Sequence, residues 1–547
     1  MTATTSVAQG RPRSDPQLEG GIASTMWPEG HPRRKLVLLV LCLSLLAGVI
    51  DNTILNTALP TLARVLHAGT SSLQWITDSY TLCFAAVLIP AGALADRYGR
   101  RRSLVGGLIV FAIGSLVAAF ATSADVLIAD RVLMGLGAAF VMPATLSILN
   151  AVFPPRERAQ AIAAWSGVAG VGIIVGPTLG GFLLAHFFWG SVFLVNVPIV
   201  VVALVGVVSV VPETAEAGGR ALDVVGTLFV GGALVAVVDA IIEAPIRGWS
   251  GGGTIAEAVA GLVMLALFVW WELRVPEPLI DLRVFSSRAF TAATASVTVI
   301  FFSLFGSLFV FTQYLQLVHG YSPLSAGIRA LPFALATGAA SPVSPVLAKR
   351  WGNRTVISSG LALMGLGLLY LSTAQVGTGY PALALAVAIM GAGMGLVMAP
   401  ASSTIMTAVP AHQAGAGSAV NSTVREVGGT LGVAIVGSLA AAVYRNRLSA
   451  KLVAHHTPGF VVHAATGSIA AADTLGRSIG GVRGGDIVQA AQSSFTAAMS
   501  LGMRVAGAVS VISALAALAL IPRTPRAQVS DAEPARSSEL VPAGSTA

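Results

Sequence analysis

The chain has 547 residues, of which 55% are hydrophobic and only 10% are charged, and its mean hydropathy is +0.81. Soluble domains contain roughly a quarter charged residues, so this composition excludes a soluble multidomain enzyme. In a membrane protein, the formal net charge of +8 reflects the placement of charges in loops and does not indicate nucleic-acid binding.

Long apolar stretches predict fourteen membrane-spanning helices, because a helix needs about 20 apolar residues to cross a bilayer. Most connections are short, but residues 273–288 form a polar link and residues 444–493 are predicted as a long outer loop. In chain order, predicted spans 1 to 14 cover residues 36–59, 73–95, 104–122, 125–149, 159–185, 189–211, 223–244, 254–272, 289–313, 323–347, 354–373, 381–407, 415–443 and 494–521.

These spans predict an all-α membrane protein with two six-helix halves. Residues 1–35 and 522–547 are polar and predict disordered tails. Between the tails, the first half covers 36–211, two inserted helices and a linker cover 212–288, and the second half covers 289–521.

An internal repeat supports the division into halves. Residues 94–101 read LADRYGRR after span 2, and residues 347–354 read LAKRWGNR after span 10, with five of eight positions identical. Transporters built from related halves bind their substrate near the midplane, between the halves. The repeat therefore favours alternating access over the alternative of a passive channel.

The basic residues predict the orientation. Lys- and Arg-rich loops face the cytoplasm, so both termini are predicted to be cytoplasmic and the basic loop at 444–493 is an exception. The scarcity of lysine and the abundance of alanine and glycine suggest a bacterial protein. We therefore expect it in the bacterial plasma membrane. The basic residues on the side of the termini include Arg33, Arg34, Lys35, Arg97, Arg102, Arg156, Arg158, Lys349, Arg350, Arg354, Arg523 and Arg526.

Five motifs, in the expected order between residues 51 and 181, resemble those of the major facilitator superfamily. GALADRYGRR at 92–101 is similar to its signature loop, and GPTLGG at 176–181 to its helix-5 antiporter motif. The three others resemble the 14-helix drug:proton antiporter branch: DNTILNTALP at 51–60, WITDSY at 75–80 and RVLMGLG at 131–137.

This resemblance implies a proton-coupled exporter of lipophilic, cationic drugs or antibiotics, with the drug, protons and the lipid bilayer as its partners. We expect a monomer, with no cofactor, no metal and no nucleic-acid partner. One position departs from the family pattern. Relatives commonly have Arg after the Trp that opens helix 6, whereas Gly190 follows Trp189 here and Phe193 and Asn196 are retained.

The loop after span 2 is predicted to be a conformational latch, largely through the resemblance. Its glycines permit a tight turn, and its charges could join the cytoplasmic ends of the two halves. The alternative is a basic loop that only sets the orientation. The predicted latch residues are Gly92, Asp96, Arg97, Gly99, Arg100 and Arg101.

Span 5 has a face formed largely by glycines, which carry no side chain, and it contains an internal proline. Its glycines allow a neighbouring helix to approach closely, and the proline favours a kink. Such a face can seal and slide during alternating access, although an ordinary packing seam is the alternative. The predicted motif residues are Gly172, Gly176, Pro177, Gly180 and Gly181.

Charged residues inside membrane spans are expensive and are therefore functional candidates. We predict Asp51 as the proton carrier and Arg131 as its tuning partner, while Asp78 and Glu426 are candidates for proton relay or for pairing with a cationic drug. The alternatives are structural ion pairs for Asp51 and for Arg425–Glu426, and an interfacial position for Asp78.

Substrate contacts are expected from aromatic side chains that face a cavity. Tyr80 on span 2 and Phe301, Phe305, Phe309 and Tyr314 around span 9 are the candidates.

The chain lacks an ATPase signature and a nucleophile–base constellation, so we predict that it is not an enzyme and that an ion gradient supplies the energy. Two other functions stay open. One is a dedicated exporter of a single endogenous metabolite or antibiotic. The other is a membrane scaffold or sensor that does not transport, in which the buried acidic residues would be dispensable.

Overall fold

The computed structural model describes residues 27, 29–215, 222–408 and 414–522, so the predicted tails lie largely outside the described residues. The described part is helical. Its helices are α1 (Arg34–Val65), α2 (Thr70–Tyr98), α3 (Arg100–Ala118), α4 (Ala124–Val152), α5 (Pro155–His186), α6 (Ser191–Leu194), α7 (Asn196–Val210), α8 (Val224–Arg247), α9 (Gly252–Glu272), α10 (Arg288–Gln313), α11 (Pro323–Arg329), α12 (Leu331–Trp351), α13 (Asn353–Leu371), α14 (Tyr380–Ala408), α15 (Ala414–Ala454), α16 (Gly459–Thr466), α17 (Ile469–Ile479) and α18 (Gly481–Leu520).

Fourteen spans in the described residues are long and apolar enough to cross a membrane, which confirms the predicted number. Helices α6 and α7 together form the sixth span, and α11 and α12 together form the tenth. The ninth span is α10 extended by a π-helical turn, Tyr314–Val318. A π-helical turn has one more residue per hydrogen-bonded ring than an α-helix, and a run of apolar residues does not reveal it.

The segment 444–493 is mostly helical, which the prediction of a long loop did not anticipate. Helix α15 continues to Ala454, α18 begins at Gly481, and α16 and α17 lie between them. Its alanines favour helix. Its many polar residues and glycines, however, interrupt the apolar stretches from which the spanning helices were predicted.

The repeated loops end their preceding helices in the same way. Gly99 follows α2 with φ +111°, and Gly352 follows α12 with φ +84°. Side chains disfavour these backbone angles, so glycine is required at both turns. The same helix–glycine–helix geometry therefore recurs in the two halves.

The first inserted helix, α8, packs against both halves. Val238 and Ile242 of α8 form a small buried cluster with Leu82 of α2 and Ala434 of α15. Arg445 of α15 also donates to the Pro245 carbonyl at 3.0 Å. Helix α8 therefore flanks the contact between α2 and α15.

The side on which α1 begins at Arg34 and α18 ends is called the terminal side, and the opposite side is the distal side. Several contacts join the halves in the distal part of the bundle. Gln316 donates to the Thr57 carbonyl at 2.9 Å, and Thr70 donates to the Gly467 carbonyl at 3.2 Å. Asp473 of α17 pairs with Arg64 of α1 at 3.7 Å. The halves are therefore joined on the distal side.

Open space flanks α5 and α12 near the middle of their spans. A Cβ atom added at Gly167 or Gly170 of α5, or at Gly338 of α12, would meet nothing within 4 Å. These helices belong to opposite halves. The described contacts therefore join the halves on the distal side, while α5 and α12 are unpacked at these glycines.

Candidate functional site

A buried ion pair lies at the centre of the first half. Arg131 of α4 donates through Nη1 to Asp51 Oδ2 of α1, and both side chains are fully buried. The structure thus brings together the residues predicted as proton carrier and tuning partner. Two opposite charges without solvent require close pairing, because an isolated charge in such surroundings is very costly.

Two further contacts fix the Arg131 side chain. Its Nε donates to the Ile76 carbonyl at 3.2 Å, and its guanidinium carbon lies 4.3 Å from the centre of the Tyr80 ring. Its Nη2 has no hydrogen-bond partner. Tyr80, predicted to bind substrate, is only 4% exposed, so in this conformation it lines the ion pair and not an open cavity.

Asn196 completes the environment of Asp51, a role that the sequence analysis did not assign. Its amide nitrogen donates to Asp51 Oδ1 at 2.9 Å and to Ser115 Oγ at 3.0 Å. Ser115 in turn donates to the Phe193 carbonyl at 2.9 Å. Asn196 is the first residue of α7, directly after the break that separates α6 from α7. Its retention in the helix-6 motif was the available signal.

Gly190 leaves no room for the arginine that relatives commonly have. A Cβ atom there would collide with the Ala119 carbonyl at the end of α3 and lie 2.6 Å from Phe188 Cε2. The backbone of Gly190 therefore packs directly on α3, and a long side chain would require the two segments to separate.

Asp78 of α2 is 1% exposed, and neither of its carboxylate oxygens has a hydrogen-bond partner. Gln74 and Thr81 lie one turn away on the same face and contact α15. Asp78 is thus placed between the halves and not at the headgroup interface. An acidic group buried without donors is a candidate for proton binding.

Arg425 and Glu426 lie on α15, near the aromatic side chains of α10. The guanidinium carbon of Arg425 lies 5.6 Å from the centre of the Phe301 ring, and its Nε has no partner. The Phe301 and Phe305 rings are stacked with their centres 6.1 Å apart. Arg425 therefore stands beside an aromatic wall, and Glu426 is the next residue of α15.

That wall belongs to an apolar cavity between the halves, with about 750 Å³ of empty space including its mouth. Thr53 of α1 and Pro177 of α5 come from the first half. The other lining residues are Phe301, Leu304, Phe305, Ser307, Leu308, Phe311, Ala330, Phe333, Ala334, Leu371, Val387 and Met390.

Besides Tyr80, two of the predicted substrate residues lie outside this cavity. Phe309 is buried beside a smaller cavity that Gln313 and Tyr444 also line. Tyr314 is buried and donates to the Gln375 carbonyl at 2.6 Å. Its ring packs edge-on against His319 at 4.8 Å between ring centres, and burial, with nearby Arg329, lowers the pKa of His319. Phe311 lines the apolar cavity, as does Phe333 of α12, whose orientation had no signal in the sequence.

The helix-5 motif joins α5 to α1 and to α11. Cβ atoms at Gly172, Gly176 and Gly180 would meet Val49, Thr53 and Ile54 of α1, respectively. Thr53 also donates to the Gly172 carbonyl at 3.2 Å. Across the halves, Gly181 packs on the Leu324 backbone and the Pro177 carbonyl on Gly327. The motif is therefore a close-packed seam on the distal side of the apolar cavity.

The predicted latch makes its described contacts within the first half and with the start of the linker that follows it. Asp96 accepts from Arg100 Nε at 2.7 Å, and Arg101 Nη2 donates to the Val208 carbonyl at 2.7 Å. The Arg100 N–H donates to the Thr214 carbonyl at 2.9 Å. Arg97 lies over the Tyr98 ring at 5.6 Å, and Gly92 packs on Pro143. These contacts tie α2 and α3 to the end of α7, and a bridge to the second half stays a prediction.

Glu213, which the sequence analysis did not single out, holds this loop. It accepts the Arg101 N–H at 3.1 Å and lies 3.8 Å from Arg102 Nε. A Cβ atom on Gly99 would lie 2.6 Å from the Glu213 carboxylate. A carboxylate at a helix N-terminus satisfies free N–H groups and favours the helix dipole. Glu213 therefore anchors the start of α3.

Known proteins with related sequences are named as resistance, export or efflux proteins. The multidrug resistance protein Stp of Mycobacterium tuberculosis is 38% identical over 408 residues, covering 74% of this chain and 76% of that protein. The tetracenomycin C resistance and export protein of Streptomyces glaucescens is 33% identical over 507 residues, 91% of this chain and 92% of that protein. The methyl viologen resistance protein SmvA of Salmonella typhimurium is 34% identical over 489 residues, 88% and 97% of the two chains.

Solved structures share the fold at low sequence identity. An auto-inhibited POT family peptide transporter aligns with a TM-score of 0.62 and 15% identity, covering 90% of this chain and 98% of that one. A bacterial homologue of the lysosomal transporter Spinster, inward-facing and unoccupied, aligns with a TM-score of 0.60 and 18% identity, covering 91% and 99%. The Major Facilitator Superfamily model matches residues 41–433. The chain therefore belongs to the Major Facilitator Superfamily.

Proposed function

We propose that this protein is a proton-coupled exporter of lipophilic, cationic drugs or antibiotics that works by alternating access. The observation that carries the proposal is the buried Asp51–Arg131 pair beside Thr53, which lines the apolar cavity. A proton site and a substrate site thus share one helix, α1. Relatives named for multidrug resistance, for drug export and for resistance to methyl viologen, a dication, support the same activity.

The ion pair can couple proton binding to helix packing. While Asp51 is ionised, its carboxylate accepts from Arg131 of α4 and Asn196 of α7. A proton on Asp51 removes the charge that holds the guanidinium, and the packing of α1 against α4 and α7 weakens. Because Thr53 donates to the Gly172 carbonyl, a movement of α1 there also reaches α5 and the cavity.

The cavity suits an aromatic, lipophilic substrate. Phe301, Phe305, Phe311 and Phe333 offer ring faces, and among the described residues of the lining only Thr53 and Ser307 have polar side chains. Rings of this kind attract cations as well as apolar groups. Glu426, the residue after Arg425 on α15, is the proposed counter-charge for a cationic drug, and Asp78 is a second acidic candidate.

We further propose that the terminal side is cytoplasmic and that the protein resides in a bacterial plasma membrane, because the arginines of the short loops gather on this side. Residues of both halves line the cavity within one chain, so a monomer suffices.

The loop after α2 is proposed to act as a latch in the conformation that closes the terminal side. The protein is proposed to be a transporter without enzymatic activity.

Ethidium efflux from energised cells tests the coupling. Wild-type efflux should collapse when a protonophore is added, and Asp51→Asn should lose at least about tenfold in rate, since the charged partner of Arg131 is gone. Asp125→Asn, an exposed aspartate at the start of α4, is the matched control and should export normally. Equal efflux by both variants would mean that Asp51 is not the coupling residue, and Asp78 and Glu426 would become the candidates.

A dedicated exporter of one compound is the second candidate, favoured by the relative from Streptomyces glaucescens that is named for tetracenomycin C and matches 91% of this chain. The two functions differ in breadth. A broad exporter should protect cells against several unrelated lipophilic cations, whereas a dedicated exporter should fail with ethidium and with the rest of such a panel.

A further inference from the structure

A polar seam joins α2 of the first half to α15 of the second half. Gln74 Nε2 lies 3.0 Å from the Val433 carbonyl, 3.0 Å from the Ala434 carbonyl and 3.2 Å from Ser438 Oγ. Gln74 is fully buried. One amide group of the first half thus reaches three acceptors on a single turn of the second half.

Gly437 forms the socket for this amide. A Cβ atom at Gly437 would lie 2.6 Å from Gln74 Nε2 and 3.1 Å from Phe309 Cε1. Even alanine would therefore displace the glutamine or the phenylalanine. The absence of a side chain at this position is what lets the Gln74 amide approach the carbonyl groups of α15.

A second contact closes the seam two turns further along α2. Thr81 Oγ1 and Thr430 Oγ1 are 2.8 Å apart, and both side chains are buried. Residues four and three positions apart share one helix face, so Gln74, Asp78 and Thr81 form a single stripe against α15. Asp78, whose carboxylate oxygens have no hydrogen-bond partner, lies between the two cross-links.

Gln74 lies nearer the distal end of α2 than Asp78 does, since α2 begins at Thr70. The Gln74 amide therefore stands between Asp78 and the distal surface. Gln74 Oε1 has no hydrogen-bond partner in this conformation. Water that enters an opened seam would hydrogen-bond to this oxygen and solvate Asp78. The contact between α2 and α15 can therefore open and close reversibly.

We propose that Gln74, seated on Gly437, is the distal gate residue that controls access from outside to Asp78. This proposal rests on the proposed alternating-access function. It adds Gln74 as a residue that positions α2 against α15. Gln74 carries no charge and takes no proton itself. It acts by holding α2 against α15 until the distal side opens.

Cysteine labelling tests the gate without any drug. In a background with Cys42 and Cys83 replaced by serine, Thr430→Cys places a thiol inside the seam, and an impermeant maleimide is added outside whole cells. Adding Gln74→Ala should raise the labelling rate, and the loss of one net hydrogen bond corresponds to roughly two- to tenfold. Gly437→Ala should act in the same direction because it displaces the amide.

Two controls fix the interpretation. Gln492 donates to the Leu317 carbonyl at 3.2 Å within the second half, so Gln492→Ala should leave the labelling rate unchanged. Val482 is 82% exposed on the distal side, and Val482→Cys must label from outside at full rate, which verifies the sidedness independently.

Unchanged labelling of the Thr430→Cys thiol in both Gln74→Ala and Gly437→Ala would overturn the gate, whatever the efflux activity is. Faster labelling in these variants supports it even if wild-type protein moves no ethidium, in which case only the proposed substrate class fails. Size-exclusion profiles identify a variant that does not fold, and the other variant then carries the test.

Discussion

Asn196 shows how strongly the buried ion pair depends on an uncharged side chain. Its amide donates to Asp51 at 2.9 Å in surroundings without solvent. Asn196→Leu leaves a carboxylate oxygen buried without this donor, at a cost of roughly 1–3 kcal/mol. We expect a lower thermal unfolding temperature in detergent together with slower ethidium efflux.

Asn353 offers a comparison at the residue scale. It donates to Thr404 Oγ1 at 2.9 Å, a neutral partner in the second half. Asn353→Leu should cost less, roughly 0.5–1.5 kcal/mol, because hydrogen bonds to charged groups are stronger. It should also leave efflux per folded molecule intact. If the two variants prove alike in stability and in efflux, Asn196 has no special role at Asp51.

At the scale of elements, the contact between α5 and α1 depends on the missing side chain of Gly176. A Cβ atom there would collide with Thr53 Oγ1, and closely packed helices in a membrane gain their stability from such near contacts. Gly176→Ala should push α5 away from α1, lower the unfolding temperature and reduce efflux. Gly106→Ala is the control, because a Cβ atom at Gly106 of α3 meets nothing within 4 Å. A stable, active Gly176→Ala protein would contradict the predicted seam.

The elements themselves were largely predictable, because length and apolarity decide whether a helix can span a bilayer. The π-helical turn at Tyr314–Val318 and the helices α16 and α17 were not predicted. A π-turn changes the phase of a helix without changing its composition, and α16 and α17 are too short to show an apolar span.

At the scale of the whole molecule, the sequence predicted the charged members of the site better than their partners. Asp51 and Arg131 are conspicuous because charges inside spans are rare. Asn196, Gln74 and Gly437 were missed because neutral polar residues and glycines occur throughout these helices, and only the tertiary packing shows which of them meet.

Alternating access predicts a second conformation, in which the terminal side is closed and the distal side is open. Closing the terminal side requires α5 and α12 to approach each other where Gly170 and Gly338 now face open space. Gly338 lies one turn from Ala334, which lines the apolar cavity, so both share a face of α12. Because a Cβ atom at Gly338 meets nothing within 4 Å, we expect the Gly338→Trp side chain to be accommodated in the present conformation and to fill the space that closure needs.

We therefore expect Gly338→Trp to fold, to bind ethidium and to lose efflux, since it is arrested with the distal side closed. Gly106→Trp, also in open space but on α3, should bind and export like the wild type. Fluorescence titration of purified protein measures ethidium binding, and whole-cell efflux measures turnover. Normal efflux by Gly338→Trp would mean that α5 and α12 never meet at this level, and the terminal side would have to close elsewhere.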